Sequence, residues 1–162
     1  MPSPKSPQQL IHEAIVAILT DGAATLAVDG RDVRVISHLP DEAFAQSGIP
    51  LVAVEFPELQ VKRSWDNAYD REEHQVVIEL VDAVKVGPDD ERVTKGRLAM
   101  LMQRVRALLK AEPNLRLAYL HVYESHTSWE FGPTQPFGNN LMAQPAMLTV
   151  PCLVEKGKVW ET

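Results

Sequence analysis

HQVVIELVDAVKV, residues His74 to Val86, narrows the possible folds more than any other stretch. Valine and isoleucine fill both faces over part of its length. That pattern suits a central strand covered on both sides rather than an edge strand with one wet face. A strand of this kind needs neighbours and a layer packed over it, and the rest of the chain supplies candidates for both.

Two helices are predicted. In QQLIHEAIVAILTDG, Leu10, Ile11, Ala14, Ile15, Ile18 and Leu19 recur at helical spacing, and Gly22 marks a stop. In GPDDERVTKGRLAMLMQRVRALLKAEPNL, Leu98, Leu101, Met102, Val105, Leu108 and Leu109 form an apolar stripe. Asp89 or Asp90 caps the start and complements the helix dipole, and Pro113 ends the helix. Further strands are expected at Val33–Val35, Leu51–Phe56, in LRLAYLHVYES and at Ala146–Glu155, with a turn at Asp29-Gly30. Neighbouring strands broken by two helices predict an α+β domain. Its sheet is mostly antiparallel, with about four to six strands and both helices on one face. Pro2, Pro4 and Pro7 predict a flexible lead over residues 1–8, followed by one domain over 9–156 and a tail over 157–162.

The chain has 162 residues, enough for one domain with a sizeable core. Its net charge of −6 argues against nucleic-acid binding by the chain as a whole. No signal-peptide pattern or long apolar run occurs, which points away from a membrane and toward a soluble intracellular protein. The single cysteine, Cys152, reads as a small core hydrophobe.

No strong catalytic signature is present. His121 and His126 are five apart, so on one strand they point to opposite faces and cannot share a metal without a break between them. Asp66, Asp70, Glu72 and Glu73 are mixed with Arg63 and Arg71, as in a solvated, salt-bridged loop. Glycine-rich phosphate loops and nucleophile elbows are lacking, and no cofactor is expected. Lys95, Arg97, Arg104, Arg106 and Lys110 read as a solvated helix face or a cationic patch for an acidic partner.

The aromatics stand out instead. Trp65, Tyr69, Trp129, Phe131 and Phe137 fall in polar, loop-like segments. SWEFGPTQPFGNNL, Ser128 to Leu141, reads as a long loop between strands. Pro133 and Pro136 stiffen it, and Asn139 and Asn140 offer hydrogen bonds. Either the rings fold back on their own domain or they anchor a partner. Removing this loop is expected to abolish assembly and leave the fold.

The order of elements, from QQLIHEAIVAIL through PLVAVEF, HQVVIELVDAV and RLAMLMQRVRALLKAEPNL to LRLAYLHVYES and MLTVPCLVE, resembles the tail terminator (tail completion) proteins of long-tailed bacteriophages. The likeness covers roughly residues 8 to 156. It implies a structural, non-enzymatic virion protein that forms a homohexameric ring. The ring caps the tail tube, stops its polymerisation and meets the head-tail connector. The protein is then assembled in the host cytoplasm and resides in the virion neck. Trp65, Tyr69, Trp129, Phe131, Pro133, Pro136, Phe137 and Asn139 become interface candidates. The alternatives are another neck or head completion protein, or a small enzyme or ligand-binding domain with residues 128–141 as a lid.

Overall fold

The computed structural model describes residues 5–37, 50–60, 71–85, 88–118, 120–122, 127–136 and 141–155. The chain is an α+β domain. In chain order its elements are α1 (Pro7–Asp21), α2 (Ala23–Leu26), β1 (Arg34–Ile36), β2 (Leu51–Val54), β3 (Glu58–Gln60), β4 (Arg71–Lys85), α3 (Pro88–Lys110), β5 (Leu120–Val122), β6 (Ser128–Phe131), β7 (Gln135–Pro136) and β8 (Leu141–Glu155). The sheet is mixed, in the order β1-β2-β4-β8-β5. Among the described strands, only β1 and β2 run parallel.

β4 and β8 carry the sheet. They are antiparallel over fifteen residues, from Arg71 opposite Glu155 to Lys85 opposite Leu141. At ~3.4 Å per residue the ladder is about 48 Å long. Each flank is a strand broken by a bulge. β2 and β3 both pair with β4, and four steps from Val54 to Glu58 match three from Ile78 to Gln75. β6 and β7 both pair with β8, and four steps from Phe131 to Gln135 match three from Ala146 to Ala143. One extra residue on the outer strand defines a bulge. Each bulge contains a proline, Pro57 or Pro133, which has no N–H to give to a ladder.

Alternation sorts the side chains. Val76, Ile78, Leu80, Ala146, Leu148, Val150, Cys152, Val52 and Val54 share one face and are buried. The stripe of α1 (Ile11, Ile15, Ile18, Leu19) and that of α3 (Leu98, Leu101, Met102, Val105, Leu109) complete the same core. Both long helices therefore lie on one face. β4 is central as expected, and on the opposite face Leu51, Ala53, Val81, Ala143 and Leu153 are buried as well, while Gln75, Val77, Glu79, Met147 and Thr149 are half-buried.

Local chemistry moves several predicted boundaries. Residues 7 and 8, expected in the lead, belong to α1, because Pro7 opens the helix. Ser6 is the N-cap and forms a capping box with Gln9, and proline at the first helical position loses no hydrogen bond. α3 opens at Pro88, so Asp89 and Asp90 lie in its first turn and not at the cap. Asp29-Gly30 makes the expected tight turn: both have positive φ, and Val28 and Arg31 exchange two backbone hydrogen bonds across it. β2 stops at Val54, short of Phe56, because the bulge begins there. Among the described residues of LRLAYLHVYES, Leu120–Val122 is strand and residues 115–118 are not. Leu115 and Arg116 take left-handed φ (51° and 59°) in the preceding turn. Burial of Leu115 in the core and the ion pairs of Arg116 with Asp21 and Glu112 hold that turn. The final strand starts at Leu141, not Ala146.

One buried acid ties three parts of the fold together. Asp82 points into the helix-covered face of β4. Its carboxylate meets Arg31 Nη1 at 3.3 Å and Arg97 Nε at 3.1 Å, and accepts from the Ala83 N–H at 2.8 Å. Arg97 also donates to Thr94 Oγ1. The cluster joins β4, α3 and the Asp29-Gly30 turn. Replacing Asp82 with alanine leaves two guanidiniums facing each other, a loss of about 3 kcal/mol for a broken buried pair whose arginines still reach water. The Asp82→Ala protein is expected to unfold at a clearly lower urea midpoint than the wild type.

Candidate functional site

Ser128 to Leu141 is not a free loop. Its first half is β6, laid antiparallel on β8 with Trp129 opposite Leu148 and Phe131 opposite Ala146. Its second half returns to the same strand as β7. Residues 137–140, with Phe137, Asn139 and Asn140, lie outside the described residues, as do Trp65, Tyr69 and His126. His121 lies in β5.

Pairing brings three of the predicted interface residues to one face. Trp129, Phe131 and Pro136 all project on the helix side of the sheet edge, and Glu130 projects on the other. Trp129 is 46% exposed. Phe131 packs partly against the core. Their rings meet edge to face, with centroids 5.2 Å apart. Lys95 Nζ of α3 lies 5.7 Å from the Phe131 centroid while pairing with Glu91 at 3.2 Å. Pro133 is exposed in the bulge.

A buried glutamine fastens this edge. Pro145 accepts from the Gly132 N–H, so its own nitrogen faces the same outer side and has no hydrogen to return. Gln144 supplies the missing donor: its Nε2 reaches the carbonyls of Gly132 at 2.8 Å and Pro145 at 2.9 Å. A Cβ at position 132 would sit 2.9 Å from Pro145 Cγ, so any larger residue there would have to displace the proline ring. Sequence reasoning missed Gln144. The available signal was an amide beside a proline inside an otherwise apolar strand.

Among the described residues, the remaining buried polar groups do not form an activated centre. His74 lies opposite Cys152 on the buried face. Neither of its nitrogens has a partner in hydrogen-bond geometry, although Glu72 Oε2 lies 3.4 Å from Nε2. Burial pushes the imidazole pKa down, against the opposing pull of Glu72. Burial pushes the Cys152 thiol up to about 12. A neutral imidazole beside a protonated thiol is not an activated nucleophile. No group of three or more His, Cys, Asp and Glu that could hold a metal occurs among the described residues. Nor is any described helix long and apolar enough to cross a membrane.

Arg97 and Arg104, expected on a solvated helix face, instead turn toward the body of the domain. Arg97 pairs with Asp82, and Arg104 donates to the Ala27 carbonyl. No protein-family model matches the chain, and no curated protein matches it in sequence.

Two outcomes follow from these buried groups. Gln144→Ala leaves the Gly132 carbonyl without its donor, and amide hydrogen exchange over residues 128–136 is expected to speed up while that of β4 holds. His74 has a folded-state pKa below its unfolded value of about 6.5. The unfolded chain therefore takes the proton first as pH falls. Its contribution to stability is intact above about pH 6.5 and is lost below it, at no more than about 1.4 kcal/mol per pH unit. Urea midpoints from pH 7.5 to 5 are expected to fall more steeply for the wild type than for His74→Phe.

Proposed function

We propose that the protein is a structural subunit of a virion: a tail terminator that closes the tail tube of a long-tailed bacteriophage as a homohexameric ring. In this role it contacts the tail tube protein on one side and the head-tail connector on the other. The observation that carries the reading is the Trp129–Phe131 pair. A large exposed ring stands on a sheet edge that Gln144, Gly132 and the β8 ladder hold in place. Exposed aromatics on a rigid support are the residues that dominate protein interfaces, because little conformational entropy is lost when they dock. The α+β architecture agrees with the resemblance, and the neutral His74–Cys152 pair offers no competing chemistry.

The pairing of β6 and β7 changes the appropriate test. Deleting Ser128–Leu141 would strip the edge of β8, so loss of assembly could not be separated from loss of fold. Trp129→Ala removes the exposed ring alone. The variant is expected to keep the wild-type circular dichroism and urea midpoint. It is expected to bind a purified tail tube, or its own copies, about 30-fold more weakly, the effect of losing an interface anchor of about 2 kcal/mol. Wild-type binding by a folded Trp129→Ala protein would remove the platform from the contact.

A further inference from the structure

The outer face of α3 carries a regular seam. Val93, Gly96, Met100, Gln103, Ala107 and Lys110 are all exposed and recur at alternating spacings of three and four. Val93 and Met100 are among the most exposed large apolar residues of the domain, at 54% and 47%. This is the a/d spacing of a helix that packs along its length against another surface. The flank formed by Arg92 and Arg106 is basic, whereas Arg97 and Arg104 on the other flank direct their guanidiniums inward, to Asp82 and the Ala27 carbonyl. From Arg92 to Lys110 the helix has six basic residues and no acid. Two such helices would set arginine against arginine, so α3 is poorly suited to pair with another α3.

The opposite side of the same domain has the complementary sign. Strand register places Glu58, Glu73, Glu79 and Glu130 on the sheet face away from the helices, with Arg34 at the far edge and Arg71 and Lys85 at positions of the same parity at the two ends of β4. Glu79 is half-buried, and its pKa is raised by that burial and by the neighbouring carboxylate of Glu55. Between these acids lie the half-buried Val77, Met147 and Thr149, a short strip bounded by the buried Leu51, Ala53, Val81 and Leu153.

We propose that the outer face of α3 in one copy of this chain docks on the acidic back of the sheet in the next. The two patches lie on opposite sides of the domain, so the contact is head-to-tail: it builds either a closed ring or an open filament. The inference rests on the assembly reading above and assigns that assembly its two faces. The occupant is a second copy because both halves of the charge match, and both apolar strips, are present in one chain.

Two exposed substitutions test it, one on each face: Val93→Asp on α3 and Glu130→Lys on the back of β6. Native mass is read by light scattering at low and high salt, with circular dichroism confirming the fold. The wild type is expected to form oligomers that weaken as salt rises. Each variant alone is expected to be monomeric. Their mixture is expected to stop at dimers, because an Glu130→Lys copy offers a sound helix face and a Val93→Asp copy a sound sheet face. Oligomers lost by Val93→Asp but unaffected by Glu130→Lys would mean that the helix meets some other surface and would overturn the proposal. Oligomers indifferent to both variants would overturn it and leave the assembly reading standing. A wild type that is monomeric at all concentrations and salts would also overturn it; tube binding would then decide the assembly reading separately.

Discussion

Everything in this domain hangs on an uninterrupted ladder between β4 and β8, and that ladder survives two prolines in β8. A strand residue directs its N–H and C=O to one neighbour and the next residue directs them to the other. Pro145 points outward, as its bond from Gly132 shows, and Pro151, six residues on, has the same parity. Both missing donors therefore face the outer strand and not β4. The cost falls on that outer strand. It breaks into β5, β6 and β7, with a bulge opposite Pro145. Shifting β8 by one residue would turn the prolines inward and move Leu148, Val150 and Cys152 out of the core.

The same break explains why the aromatic platform sits where it does. Between β5 and β6, six steps along the outer strand from Val122 to Ser128 match three along β8 from Cys152 to Thr149. After this slip, Trp129 and Phe131 fall on the helix side of the sheet. There they find Lys95 and the edge of the core. A different slip would send both rings to the acidic back face. The position of the exposed tryptophan thus follows from register, and Gln144 and Gly132 prevent the register from drifting.

How much of this could be read in the sequence depended on the range of the forces involved. Elements set by local pattern were legible: the stripes of α1 and α3, the Asp29-Gly30 turn, the central strand from His74, and the buried Cys152. The α+β class followed from their order. Features that need a partner across the sheet were not legible. SWEF and QP look like a loop because their two strand pieces are short and a Pro-containing bulge separates them; only pairing with β8 makes them strands. Asp82 looked like one more acid in an apolar strand until Arg31 and Arg97 met it. Of the interface candidates, Trp129, Phe131 and Pro136 come together on one face and Pro133 lies in the bulge. Trp65, Tyr69, Phe137 and Asn139 fall outside the described residues.

The Asp82 cluster also links the core to the charged outer face of α3. Arg97 flanks the exposed seam, yet its guanidinium is committed inward to Asp82 and Thr94. Arg104 flanks it one heptad later and is committed inward to Ala27. Their stems remain beside the seam while their charges brace α3 against β4 and the end of α2. The helix is thereby held in a fixed rotation about its axis, with Val93, Met100 and Ala107 directed outward. A surface helix free to roll would average this seam away. The buried stripe of α3 sets which side of the helix the solvent meets, and the Asp82 carboxylate reinforces that setting through Arg97.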